Sequence, residues 1–244
     1  MDILYILGTG SLWQNNEIRY SLRSLERFGG NVGRIFIVGT KPDFINDEVT
    51  FIPCDDQHDT PHKNILRKVI TAMESGLLPD HFLISSDDHF YIKPTNFDTL
   101  PVYYKREQII DGIPFLQDRN PYFLSLIETR KFMIQHGLSL YQTNPHCNTH
   151  WDVPTYLANK ALFDEAFTLK YGAEMNCLMG NLLIAQGYEK AKFKDSKLGG
   201  AVKAAQWTQT VDGTNCVSGV PRMATTYLAN WLIRNLPTKS RYEK

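Results

Sequence analysis

Short apolar runs alternate with stretches whose apolar residues recur every three or four positions. This alternation organises the first hundred residues of the chain. Residues 2–7 (DILYIL) read as a buried strand that runs into the loop Gly8-Thr9-Gly10. A helix follows, capped by Asn15 or Asn16, with Ile18, Leu22, Leu25 and Phe28 on one face. Gly29-Gly30 stops it, and residues 34–38 (RIFIV) form a second strand. Strand, helix, strand in this order predicts a right-handed crossover and a parallel sheet. The unit recurs: strand 49–52, then a helix over 63–75 with Ile65, Leu66, Val69, Ile70 and Met73 as its stripe, then strand 82–85. Beyond Pro94 the pattern predicts strand material at Val102 and Ile109-Ile110. It predicts helices over 120–136, 153–169, 174–187 and 225–236. A polar loop is expected over 142–152 and a turn at Gly199-Gly200.

No internal repeat or low-complexity linker breaks the chain. One α/β domain over residues 1–244 is expected, with a mostly parallel central sheet flanked by helices. The chain is 43% hydrophobic and 21% charged, the profile of an ordinary globular protein. No apolar run is long enough to span a bilayer, and the first residues lack a secretory pattern, so a cytoplasmic location is expected. Cys54, Cys147, Cys177 and Cys216 are too scattered for a zinc motif or a disulfide framework and read as buried thiols. The net charge is zero but unevenly spread. Residues 185–244 hold ten basic and four acidic residues, either a solvated tail or a cationic wall facing phosphate.

The stretch HFLISSDDHFYIKP (residues 81–94) carries the most chemistry. Asp87 and Asp88 stand at the carboxyl end of a buried strand, where open α/β sheets bind ligands. Adjacent carboxylates repel and need a partner. They can hold a divalent cation, share a proton as acid and base, or cap a helix and pair with basic residues. If they bind a metal, their hard oxygens suit magnesium or manganese better than zinc.

Several segments together resemble the core block of the Stealth family: NNEIRYSLRSLERFGGNVGRIFIVG (15–39), KPDFIN (41–46), KNILRKVI (63–70) and HFLISSDDHFYI (81–92). A weaker echo lies at THWDVP (149–154). That family transfers sugar phosphates, and its catalytic core is similar to GT-A glycosyltransferases, whose paired aspartates bind a metal and a nucleotide-sugar. Gly8-Thr9-Gly10 replaces the family's usual Trp-Val-Asp-Gly start, and residues 64–72 lack its Ser-x-Ala-Ile-Glu and His-Arg-Ile patterns. The resemblance therefore implies the broader activity: a metal-dependent glycosyltransferase with a GT-A-like fold. It would move a sugar from a nucleotide-diphosphate sugar, a UDP-sugar foremost, to a hydroxyl acceptor. Residues 1–100 would form the nucleotide-binding half and 101–244 the acceptor-binding half.

The resemblance also assigns roles. Gly8, Thr9 and Gly10 would lie beside the nucleotide. Asn16, Glu17 and Arg19 match the family's helix start, and Arg19 would touch phosphate or sugar. Asp87 and Asp88 would meet ribose and Mn2+ or Mg2+, with Asp195 as a third metal ligand and Lys197 on the diphosphate. Asp152 and Glu174 are the candidates for general base, and His146 and His150 for acceptor or metal. Tyr103, Tyr104 and Trp151 are candidates for stacking on a ring. The acceptor is a glycan or, given the basic last sixty residues, a hydroxymethylated base in DNA. Stealth-type sugar-phosphate transfer and a non-catalytic carbohydrate- or nucleotide-binding module are the remaining alternatives.

Overall fold

The computed structural model describes residues 1–109, 120–194, 197–198, 207, 211–219 and 226–244. The central sheet has five strands in the order β4-β3-β1-β5-β9. Strands β1 (Ile3–Leu7), β3 (Ile35–Gly39), β4 (Val49–Pro53) and β5 (His81–Ser85) are parallel. At one edge β9 (Thr149–Asp152) runs antiparallel to β5. The predicted α/β class and mostly parallel sheet are what the structure shows.

Alternation along β1 explains the layering, because successive side chains leave opposite faces of a strand. Ile3, Tyr5 and Leu7 pack against Ile18, Leu22 and Leu25 of α1 (Asn16–Phe28). Leu4, with Phe36 and Val38 of β3, packs against Leu66, Val69 and Met73 of α2 (Pro61–Glu74). On the α2 side of the sheet the core also takes in α3 (Pro121–Gln135), α4 (Val153–Ala158), α5 (Lys160–Thr168) and α6 (Met175–Ala185).

Small strands complete the fold. Gly29–Gly30 (β2) pairs with Thr95–Asn96 (β7), and Val102–Tyr104 (β8) pairs with Lys190–Lys192 (β10). His89–Tyr91 (β6) pairs antiparallel with Cys216–Ser218 (β11). The last described helix is Tyr227–Asn235.

Two expectations are corrected. The polar stretch 142–152 ends in a strand, because Thr149 to Asp152 find backbone partners along the exposed edge of β5. Trp151 supplies the burial, with its indole N–H donating to Asn176 Oδ1 at 2.9 Å. The single helix predicted over 153–169 is two, broken at Asn159, whose side-chain amide donates to Thr155 O at 2.9 Å. Ile109 is buried, but Ile110 and Gly199-Gly200 lie outside the described residues.

Asp152 is placed by this fold rather than by chemistry. It sits at the end of β9 opposite His81, the first residue of β5. Its Oδ1 accepts the backbone N–H of Thr155 at 2.6 Å and caps α4, while Oδ2 lies 2.5 Å from His81 Nδ1. The Asp152→Ala variant is expected to lose about 1–2 kcal/mol of stability, the value of a lost cap. Chemical denaturation checks this, and an unchanged midpoint would contradict the capping role.

Candidate functional site

Four parallel strands point their carboxyl ends at one rim of the sheet. The strand order reverses direction at β1, with β3 on one side and β5 on the other, the switch point where such sheets open a crevice. Two cavities of about 440 and 590 Å³ lie there. Both are lined by Ile6, Ile65, Asp87 and Asp88, so the acidic pair forms part of a wall common to the two.

The pair sits on the turn between β5 and β6, closed by the His89 N–H donating to Ser86 O at 3.2 Å. That turn is positioned from α1. Ser21 Oγ donates to His89 O at 2.6 Å, and the Tyr91 N–H donates to Ser24 Oγ at 3.0 Å. Ser21 and Ser24 are three apart on a helix, so they share a face. Both are fully buried, and β6 gives them their partners. On the other side Ser218 Oγ of β11 donates to Asp88 Oδ2 at 2.7 Å, and the Gly219 N–H donates to Asp88 O at 3.0 Å.

Asp87 carries the electrostatic burden. Burial, then the neighbouring charge of Asp88, then that of Glu17 push its carboxyl up to about 7. Glu17 is itself buried, accepting from Ser11 Oγ at 2.7 Å. Ser11 Oγ also accepts the Asn15 N–H at 2.7 Å. Asn15 adopts the left-handed conformation (φ 59°) at the N-cap position of α1, without a side-chain cap bond.

Among the described residues the first cavity has a single lysine or arginine in its wall. Lys68 is 3% exposed; its Nζ lies 2.6 Å from Asp56 Oδ1 and donates to Leu7 O at 2.9 Å. This ion pair ties the loop after β4 to the end of β1. Gly8 passes so close that a Cβ there would meet Asp56 Oδ2 at 3.4 Å. Asn64 stitches the same loop: its Oδ1 accepts the Gln57 and His58 N–H groups, and its Nδ2 donates to His58 O.

The second cavity draws on the later part of the chain. Glu174, 8% exposed, lies at the N-terminus of α6 with Oε2 3.9 Å from His62 Nδ1. His146 lies 3.4 Å through Nδ1 from Lys105 Nζ. The backbone of Lys197 bridges to Ser218 in β11, the residue whose hydroxyl binds Asp88.

The structure thus brings together Gly8, Gly10, Asp87, Asp88, Glu174, His146 and Lys197 along the two cavities. Other expected residues fall elsewhere. Thr9 is exposed and lines neither cavity. Asn16 Oδ1 accepts Arg19 Nε at 3.1 Å. Arg19 is held by Glu243 at 2.8 Å and stacks 3.9 Å over Phe44, so its guanidinium serves the packing of residues 240–244 on α1. Asp152 caps α4, so the expected loop entering the cleft is corrected. His150 Nε2 donates to Leu100 O at 2.8 Å, and burial lowers its pKa. Trp151 is core, and Tyr103 and Tyr104 pack on Phe193 and Tyr141, which corrects the ring-stacking expectation for the indole. Asp195 lies outside the described residues.

No protein-family model matches the chain. No curated protein matches it either. Among solved structures, the chain is similar to a crystal structure of galactosyltransferase LgtC in complex with donor and acceptor sugar analogs. That likeness has 11% identity and a TM-score of 0.46, covering 99% of this chain and 98% of that one. It is similar also to an active-site mutant of LgtC, at 10% identity and a TM-score of 0.47 over the same shares. At this level of likeness the geometry of the site has to carry any functional reading.

Lys68, Asp56, Asn64, His62 and Ser218 escaped the sequence reading. Two of them left a signal. Asp55-Asp56 follows the strand 49–52 just as Asp87-Asp88 follows 82–85, and Lys68 falls on the buried stripe of its own helix.

The raised carboxyl of Asp87 makes stability depend on pH. Its proton is held more tightly in the folded chain than in the unfolded one, whose value is near 3.9. The associated stability is full below about pH 4 and is lost as pH rises through about 7. At pH 8 the loss is on the order of 4 kcal/mol. Thermal melts at pH 5 and pH 8 should therefore show a larger fall for the wild type than for Asp87→Asn. Parallel pH dependence in the two proteins would contradict the repulsion.

Proposed function

We propose that this protein is a metal-dependent glycosyltransferase with a GT-A-like fold, moving a sugar from a nucleotide-diphosphate sugar, a UDP-sugar first, to a hydroxyl acceptor. One observation carries the reading: two adjacent carboxylates, that of Asp87 desolvated, border two adjoining cavities at the switch point of a parallel sheet. A cation is what such a pair lacks. Among the described residues no group of three or more histidines, cysteines, aspartates and glutamates forms a ready metal centre. The donor set still fits a hard divalent ion completed by phosphate oxygens. Asp87 is raised by burial and by the neighbouring charges of Asp88 and Glu17, and Asp88 is anchored by Ser218 through one oxygen. Asp87 and Asp88 would hold Mn2+ or Mg2+, which when bound offsets the charge of a departing diphosphate.

The chain's own residues supply the rest. The first cavity, lined by residues up to and including Asp88, takes the nucleotide along the backbone of Gly8 and Gly10. Lys68 fixes that wall through Asp56 and Leu7 O, so the loops need little rearrangement on binding. The second cavity takes the acceptor and is lined mainly by residues after position 100. Lys197, which lines the second cavity and whose backbone bridges to Ser218, would meet the diphosphate. A division of labour between residues 1–100 and 101–244 follows from this, with both halves joined through the pairing of β5 and β9.

A glycan is the favoured acceptor over DNA. The exposed tail residues Lys239 and Arg241 are bonded to Lys244 O and to Tyr242. Their segment packs on α1 through Glu243, which also binds Arg19 and Arg23.

Hydrolysis and transfer assays with UDP-hexoses and Mn2+ test the reading. The Asp88→Asn variant should fall at least about a hundredfold in turnover, the scale of losing a group that stabilises transition-state charge. Its circular dichroism should match the wild type. Wild-type turnover in Asp88→Asn would remove the acidic pair from the chemistry.

A further inference from the structure

The second cavity contains an acid–base pair that the first does not. Glu174 and His62 line only the second cavity, whereas Asp87 and Asp88 line both. Both side chains stand on fixed supports. The Glu174 N–H donates to Thr129 Oγ1 at 2.8 Å, and Thr129 Oγ1 donates onward to Ser125 O at 2.6 Å. The His62 ring stacks on Tyr122, centroids 5.8 Å apart. Gly172 lies close by with a left-handed φ of +77°, and a Cβ there would lie 3.1 Å from Lys63 and 3.2 Å from His62 Cβ.

We propose that transfer at this site is a single displacement in which Glu174 removes the proton of the acceptor hydroxyl and His62 positions Glu174, so that the anomeric configuration inverts. The inference rests on the glycosyl-transfer reading given above. In the step, the acceptor O–H proton passes to the Glu174 carboxylate. The freed oxygen bonds to the anomeric carbon, and the bond from that carbon to the diphosphate oxygen breaks. The diphosphate leaves with the electron pair on the side of Asp87 and Asp88.

Placement argues for this route over a two-step one. A covalent nucleophile would have to stand beneath the donor sugar, where the two cavities meet. Among the described residues the carboxylates bordering both cavities are Asp87 and Asp88, already committed to the cation. Glu17 lines the first cavity and is engaged by Ser11. Glu174 lies instead on the acceptor side, where a base for direct attack belongs.

The test uses UDP-glucose and UDP-galactose with Mn2+, water or azide as the acceptor, and proton NMR of the first-formed anomer. Glu174→Gln is expected to lose a factor of roughly 10²–10⁴ in kcat, the usual worth of a general base. Donor Kd, measured by calorimetry, should stay within about twofold, as expected of a group that does not bind the donor. His62→Gln should lower kcat roughly tenfold at unchanged donor KM, the signature of a displaced base. Azide has no proton to give up, so it should restore turnover in Glu174→Ala and yield the inverted glycosyl azide. A first-formed product of retained configuration, or wild-type kcat in Glu174→Gln, would overturn the proposal and leave the transferase reading standing. A wild-type protein inert toward both donors would overturn the two together.

Discussion

Two neighbouring carboxylates in a half-buried turn oppose the fold that holds them. Their mutual repulsion and the loss of water around Asp87 must be balanced by contacts elsewhere. The structure supplies those contacts from three directions. The serines of α1 hold β6, Ser218 of β11 holds Asp88, and β1 and β3 fix the rim on which the turn stands. A protein tolerates such an arrangement at a site where a ligand relieves it. The local opposition and the proposed chemistry are therefore one feature seen with and without its counter-charge.

The same constraint explains the division of the cleft. Lys68 is the buried cation in the wall of the first cavity, and it is spent on Asp56 and Leu7 O. The fold thus pairs the acid on the β4 loop with a buried cation, whereas on the β5 turn Asp88 meets Ser218 Oγ and, at 4.0 Å, His89 Nε2. Under the proposed function a divalent ion would complete that set.

Much of this was legible in the sequence because it follows from periodicity. Apolar runs of four to six residues followed closely by glycine or aspartate mark parallel strands and their carboxyl ends, so the location of Asp87-Asp88 could be read directly. Residues 149–152 could not be read so. An edge strand needs hydrogen-bond partners more than apolar alternation, and THWD carries one large apolar residue. Asp152 then looked like a loop carboxylate when it is a helix cap. Arg19 looked like a phosphate ligand because it matches the family's helix start and a planar guanidinium suits bidentate oxygen contacts. Its partner, Glu243, lies 224 residues away, beyond the reach of local pattern. Ser21 and Ser24 appeared only as polar interruptions in an amphipathic helix, yet they anchor the turn on which the site stands.

The most direct measurement is the binding of Mn2+, followed by electron paramagnetic resonance in the presence and absence of UDP. The account predicts weak binding by the protein alone and a marked tightening with UDP, both lost in Asp88→Asn. Manganese binding that ignores UDP, or that survives intact in Asp88→Asn, would contradict it.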